Sequence, residues 1–449
     1  MNNQNKLSIK EKIGYGLGDT ASNLYFQMYI NFLLFFYTDV FGIPAAVAGT
    51  MFMVTRFWDA VNDPMMGVIA DRTKSRHGKF RPYLLWMMLP MAIIGVLMFT
   101  TPNFSVNGKI IYAYITYIAM MMAYTAINIP YSALLGVLSP SSSERTSAST
   151  YRFVLAFAGA FIIQGATLPL VKFLGKGNQA VGFPITMGIF GILAMAMFYI
   201  TFKTTKERVQ PPQKQTTSLK NDLNDLLGNK PWMILLVMGI FTLGYVIIRM
   251  GTIMYYFKYY IGNELLAGTF MMAGTVAVIA GTASTQYLSK LLGKKKLYLI
   301  VMGLSSLLTM VFYYVPKEQI FMVFAVHILI SLAMAPQAPL LWAMYADTAD
   351  YSEWKNGRRA TGLVFSAATF SQKFGMAIGG GIAGWLLAMF NFEPNVAQSP
   401  ETINGIKLMM SYIPAAATVV AVIAAFFYPL DDKTMKNIEA DLEKRNKEE

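Results

Sequence analysis

Two carboxylates and a guanidinium interrupt an apolar stretch at Arg56-Phe57-Trp58-Asp59-Ala60-Val61-Asn62-Asp63-Pro64. Met51, Phe52, Met53 and Val54 precede it, and Met65, Met66, Val68 and Ile69 follow. A charged side chain at the bilayer centre costs roughly 2.5–3.5 kcal/mol on insertion scales, so three cost about 7–10 kcal/mol. Each Leu- or Phe-like residue offsets only about 0.3–0.6 kcal/mol of that. Folding a membrane helix requires no such expense, and ionisable groups at that depth mark ion pathways by default. Asp59 and Asp63 are four residues apart, with Arg56 and Asn62 within a turn, so their polar atoms converge on one helix face. Carboxylate, amide and hydroxyl oxygens suit a hard cation such as Na+. A dry site that raises one carboxyl's pKa suits H+ instead. The competing account is an ion-pair network with Arg56 that only stabilises the helix bundle.

Such a helix needs a membrane around it, and composition supplies one. The chain has 449 residues, 55% hydrophobic and 14% charged, with mean hydropathy +0.44. Soluble domains average about 25% charged residues. Apolar runs long enough for a core of roughly 30 Å recur at about 14–41, 44–70, 82–101, 109–138, 150–174, 181–202, 231–260, 265–290, 296–315, 319–346, 360–390 and 404–428. Twelve spans are expected, in an all-α membrane protein.

Net charge is +13, but its distribution argues against nucleic acid as a partner. With the amino terminus placed in the cytoplasm, 27 of the 37 Lys and Arg fall in cytoplasmic segments and 6 in external ones. The remaining four, Arg56, Arg152, Arg249 and Lys373, lie inside helices. This asymmetry predicts both termini in the cytoplasm of a cytoplasmic (inner) membrane protein, its basic loops meeting anionic lipid. The polar start, Met1 to Lys12, leads directly into the first span and reads as no cleavable signal peptide. There is no cysteine, and the two histidines, His77 and His327, are far apart in sequence. H-E-x-x-H, G-x-S-x-G and G-x-x-x-x-G-K-[ST] are all absent, so no active site of a metalloprotease, membrane hydrolase or ATP-driven pump is visible. No enzyme activity and no tightly bound cofactor or metal is expected.

The longest polar interruption, Lys203 to Lys230, contains Pro211 and Pro212 and has six spans on each side. The expected organisation is a six-helix bundle over 1–202, a cytoplasmic linker over 203–230, a second six-helix bundle over 231–428 and a cytoplasmic tail over 429–449. That is the layout of rocking transporters. Leu219, Leu223, Leu226 and Leu227 allow a short amphipathic helix in the linker. Gly375, Gly379 and Gly384 form a small-residue stripe that lets one late span approach a neighbour closely. The abundant methionines read as soft packing.

Several motifs together carry a resemblance that covers nearly the whole chain. Gly67-Val-Ile-Ala-Asp71-Arg72-Thr-Lys-Ser-Arg76-His-Gly78-Lys79 resembles the major facilitator signature between helices two and three. Tyr37-Thr38-Asp39-Val40, Trp58 to Pro64, Ala346-Asp347-Thr348-Ala349-Asp350-Tyr351 and Pro394-Asn395-Val396-Ala397-Gln398 are similar to the glycoside–pentoside–hexuronide cation symporters, of which melibiose permease is the best known. Gly14 to Asn23 is similar to the branch carrying xylosides and glucuronides. The resemblance implies a major facilitator fold and co-transport of a sugar or glycoside with Na+ or H+. It implies that Asp59, Asn62, Asp63 and Thr125 surround the cation; for Thr125 alone, a hydroxyl bonded to its own helix backbone is the competing reading.

The sugar side departs from melibiose permease, because two positions that are aspartates there read Asn23 and Asn128 here. Amides still donate and accept, so hydroxyl recognition survives while the negative field does not. Asp19, one turn before Asn23, is expected to supply an acceptor, and Tyr124, one turn before Asn128, a stacking face; Tyr25, Phe26, Tyr29, Tyr131 and Trp342 are further aromatic candidates. Arg152 and Lys373 match basic family positions near the sugar and cation sites. Arg249 has no counterpart in melibiose permease, and three intramembrane cations near one acid point to an anionic substrate group. A carboxylate forked by Arg249 would be strong and selective, whereas pairing with an acid or with helix carbonyls is the alternative. Asp71, Arg72, Arg76, Asp347, Asp350 and Arg358 are expected to form a cytoplasmic latch.

The expected protein is thus a monomeric twelve-helix symporter of glycosides, pentosides or hexuronides. Its rivals are a lysolipid-type symporter, a transporter-like sensor without net transport, and a lipid-modifying enzyme, for which further acidic clusters are lacking.

Overall fold

A computed structural model describes residues 6–209, 228–357 and 361–448. Every regular element among the described residues is helical. Helix α1 covers Ile9–Met28 and runs on through two π-helical turns, Tyr29–Leu33 and Phe36–Phe41, to a stop at Gly42, φ 77°. Then come α2 (Ala45–Arg72), α3 (Arg81–Met98), α4 (Val106–Leu138), α5 (Ser142–Leu174) and α6 (Gln179–Thr204). After the linker follow α7 (Lys230–Tyr255, extended by a π-turn at Tyr256–Ile261), α8 (Leu266–Leu292), α9 (Lys294–Phe312), α10 (Ile320–Met334) and α11 (Gln337–Asn356). The series ends with α12 (Thr361–Met389), α13 (Pro400–Met410), α14 (Tyr412–Phe426) and α15 (Asp432–Glu448). The amphipathic helix expected near Leu219 to Leu227 lies outside the described residues.

Nine helical stretches among the described residues are long and apolar enough to cross a bilayer; two of the twelve expected spans, 44–70 and 360–390, contain side chains outside the described residues.

The chain separates into two compact units. One comprises Met1–Gln213, Leu265–Met272 and Phe392–Ala397; the other comprises Lys214–Glu264, Ala273–Asn391 and Gln398–Glu449. In the first unit α1 lies tightly along α5. A Cβ on Gly16 would stand 2.7 Å from the Leu155 side chain and 3.0 Å from the Tyr151 carbonyl oxygen. Across the same contact Thr20 donates to the Leu155 carbonyl at 2.9 Å. Tyr15 and Tyr131 stack at 4.8 Å between centroids, and the Tyr131 hydroxyl donates to the Tyr15 carbonyl at 2.7 Å, which joins α4 to α1.

Residues 205–209 sew one end of that unit together. The Glu207 carboxylate accepts from the backbone N–H groups of Lys79, Phe80 and Arg81 at 2.8, 2.8 and 3.0 Å. These are donors at the α3 N-terminus that have no partner inside the helix, and a carboxylate complements the dipole there. Arg208 forks the buried Glu11 at 2.6 and 2.9 Å and donates to the Leu138 carbonyl at 3.0 Å. Glu207→Ala is expected to destabilise the protein by about 2 kcal/mol, because three donors lose their acceptor at once. A melting temperature in detergent unchanged from wild type would remove this role.

In the second unit the glycine stripe meets α7. A Cβ on Gly375 would stand 2.6 Å from the Ile240 carbonyl oxygen, and one on Gly379 would stand 2.9 Å from Ile247 Cβ. Close approach, as expected from the small residues, is what these two positions permit. The core beside them is built from Trp232, Leu235, Met238, Tyr298, Met302, Leu341 and Met344. Helices α13 and α14 would be continuous but for Pro414. Its missing N–H leaves the Met410 carbonyl without its helical donor, and its ring crowds that carbonyl. The chain accordingly leaves helical geometry at Ser411, φ −133° and ψ −91°.

Candidate functional site

Helices α2 and α4 bring Asp63 and Thr125 together in the first unit. The Thr125 hydroxyl, 5% exposed, donates to Asp63 Oδ1 at 3.0 Å. Other threonines on these helices close on their own backbone, Thr55 onto the Met51 carbonyl at 2.8 Å and Thr116 onto the Tyr112 carbonyl at 2.9 Å. Thr125 is turned across the helix gap instead. Beside Asp63, the Asn62 Nδ2 atom is buried with no hydrogen-bond partner among the described residues. Pro64 within α2 and Pro130 within α4 deprive the carbonyls of residues 60 and 126 of their helical donors. The Asp63 carboxylate and the Thr125 hydroxyl are oxygen ligands of the kind that suit a hard cation. The Arg56 and Asp59 side chains lie outside the described residues.

Elsewhere in the first unit, Asp19 and Arg152 form a two-point ion pair, Nε to Oδ2 at 3.0 Å and Nη2 to Oδ1 at 3.4 Å. The Arg152 guanidinium also stands 5.1 Å above the Tyr131 ring. Asp19 thus serves first as the counter-charge of Arg152 rather than as a lone acceptor. Asn23 donates to the Asp19 carbonyl and Asn128 to the Tyr124 carbonyl, each at 3.0 Å along its own helix. Each amide keeps its carbonyl oxygen and a second N–H for a ligand. The half-buried Tyr124 stacks on Phe26 at 6.3 Å, and Phe26 meets Tyr29 edge-on at 5.0 Å. Tyr25 and Tyr131 are packing residues, 1% and 0% exposed.

Arg249 is held by protein groups through Nε and Nη1, while its Nη2 atom is buried with no hydrogen-bond partner among the described residues. It lies in the second unit, 5% exposed, with Nε donating to the Met410 carbonyl at 3.2 Å and Nη1 on His327 Nδ1 at 3.3 Å. Its guanidinium stands 5.3 Å above the Phe312 ring. The alternative reading, a helix carbonyl as partner, describes this geometry, and Pro414 is the physical reason that the carbonyl is available. Lys373 is half-buried on α12 in the same unit.

The profile of the MFS/sugar transport protein family matches residues 14–432. The chain belongs to this family. It is 39% identical over 438 residues to a putative glycoside/cation symporter of Escherichia coli, covering 97% of this chain and 95% of that one. It is 37% identical over 451 residues to an isoprimeverose transporter of Lactiplantibacillus pentosus, covering 99% and 94%. Among solved structures, a bacterial homolog of the human lysosomal transporter Spinster shares its fold at TM-score 0.70 and 14% identity, over 96% of this chain and 97% of that one. The protein is a multi-pass membrane transporter of the major facilitator fold, and not an enzyme.

For a sugar transporter of this family, the expected cytoplasmic latch is only partly described. Arg72 and Arg76 are exposed and Asp350 is half-buried, whereas the Asp71 side chain and Arg358 lie outside the described residues. Asp347, 6% exposed, takes the Lys294 ammonium on Oδ1 at 2.6 Å, a pairing made within the second unit. Lys294, Glu207, Arg208 and His327 were not singled out by sequence reading. Their partners are 53, 126 to 128, 197 and 78 residues away, and no local pattern encodes such pairings. Pro414 did carry a local signal, a proline inside an apolar span.

Proposed function

We propose that this protein is a secondary symporter in which downhill movement of Na+ or H+ drives uptake of a glycoside by alternating access. Asp59, Asn62, Asp63 and Thr125 hold the cation; Asp19, Asn23, Tyr124, Asn128 and Arg152 bound the sugar. The observation that carries this reading is the Thr125 hydroxyl turned onto Asp63 beside the buried Asn62 amide. Cation binding there neutralises acidic charge and favours the sugar-binding geometry, and by linkage sugar favours the cation equally.

The pairing within the first unit favours a neutral glycoside over a hexuronide, because Asp19 neutralises Arg152 there. Relatives support the same preference. The isoprimeverose transporter stands at 37% identity, against 30% over 449 residues for a glucuronide carrier protein homolog of Escherichia coli. The named relatives favour neither a lysolipid carrier nor a sensor.

The same reading places two six-helix bundles over 1–202 and 231–428, joined by a cytoplasmic linker over 203–230, with both termini in the cytoplasm. The 27-to-6 distribution of basic residues supports that orientation. An inner membrane symporter of Escherichia coli, 39% identical over 434 residues, supports an inner-membrane location.

The test is uptake of a labelled glycoside panel into proteoliposomes under imposed Na+ or H+ gradients. Accumulation of a xyloside or glucoside under one of the two gradients, with little competition by glucuronides, is the expected result. Equal uptake with and without either gradient would overturn the coupling, and strong glucuronide competition would overturn the preference for neutral sugar.

A further inference from the structure

Arg249, His327, Met410 and Pro414 meet at the break between α13 and α14, and none of them takes part in the cation or sugar chemistry above. In an unbroken helix the Met410 carbonyl would accept from the N–H of residue 414. Pro414 has none, and Arg249 Nε occupies the acceptor at 3.2 Å. Arginine has no acceptor atom, so His327 Nδ1, 3.3 Å from Nη1, must receive the hydrogen bond and therefore carries no proton. The imidazole is 6% exposed and is held from behind by Gly274, where an added Cβ would run into the ring. Around the pair, α7 places Tyr245, bonded to Thr309 of α9 at 3.1 Å, and the following π-turn places Tyr256 against Phe312 at 5.4 Å. On α13, Lys407 stands 4.3 Å above the Tyr313 ring. None of these groups is a carboxylate, so protonating His327 would set two buried like charges side by side.

We propose that Arg249 is a positioning residue for the transport cycle. It supplies the hydrogen bond that Pro414 denies to Met410, holds the last span at its break, and does so only while His327 is neutral. The transport half of this statement rests on the symporter reading; the stability half does not.

Two measurements on the purified full-length protein separate them. In detergent, acidification from about pH 7.5 to about pH 5.5, across the ordinary histidine range, lowers the wild-type melting temperature. The same shift is at most half as large in His327→Asn, whose amide oxygen can accept from Arg249 but cannot titrate. Arg249→Met also lowers the melting temperature, and by less in the Pro414→Ala background, where residue 414 regains an N–H. If Arg249→Met alone fails to fold, a recovered folded yield in that background reads the same coupling.

In glycoside counterflow without ion gradients, Arg249→Lys lowers the maximal rate about tenfold with KM within about twofold. Additive effects of Arg249→Met and Pro414→Ala, or equal acid sensitivity of wild type and His327→Asn, would overturn the proposal. A raised KM at an unchanged maximal rate would make Arg249 a substrate ligand instead. Absence of counterflow in wild type would remove the symporter reading and leave the melting-temperature result standing or falling by itself.

Discussion

Asp59→Asn combined with Asp63→Asn is expected to abolish gradient-driven accumulation, bringing the internal-to-external glycoside ratio to about 1. A cation about 4 Å from a carboxylate gains on the order of 4 kcal/mol at an effective dielectric constant near 20. Losing two such charges weakens cation binding by more than about 100-fold. At Asp63 the change removes charge while sparing geometry, because an amide oxygen can still accept from the Thr125 hydroxyl that now lies 3.0 Å from Oδ1. Sugar counterflow without a gradient is therefore expected to persist in Asp63→Asn, which separates loss of coupling from loss of fold. Undiminished concentration of glycoside in the double variant would sink the assignment of the cation to α2.

The second large effect belongs to the Asp19–Arg152 pair. Asp19→Asn leaves the Arg152 guanidinium over the Tyr131 ring without its counter-charge. Stranding one partner of a fully buried pair costs about 3–5 kcal/mol. Side-chain exposures of 22% for Arg152 and 11% for Asp19 bring the expectation down to about 2 kcal/mol, since water screens part of the charge. The same loss applied to binding is about a 30-fold rise in counterflow KM. Combining Asp19→Asn with Arg152→Gln is expected to restore most of the melting temperature and none of the sugar affinity. A KM for Asp19→Asn within twofold of wild type would place this pair outside the sugar site.

Hydrophobic length and the placement of basic residues were legible because each is a property of the chain at one position or over one span. The carboxylates of α2 were legible for the same reason: charge among Met, Phe and Val is conspicuous without any knowledge of neighbours. Gly375 and Gly379 were read correctly as close-approach positions, since a Cβ on Gly375 would stand only 2.6 Å from the Ile240 carbonyl oxygen. Arg249 shows where this reasoning stops. The sequence marks it as an unexplained cation, and an anionic ligand was the natural inference. Its partner is a backbone carbonyl 161 residues away, freed by a proline whose significance depends on what packs beside it.

What the sequence by itself determined is the class: a helical membrane carrier with acids inside its second span, because burial energetics and spacing act locally. What only the tertiary structure decided is which charges are spent on one another. Arg152 on Asp19, Lys294 on Asp347, Arg208 on Glu11 and Arg249 on Met410 join helices far apart in the chain. Pairing depends on distance in space, which falls to about 3 Å only after the helices have packed.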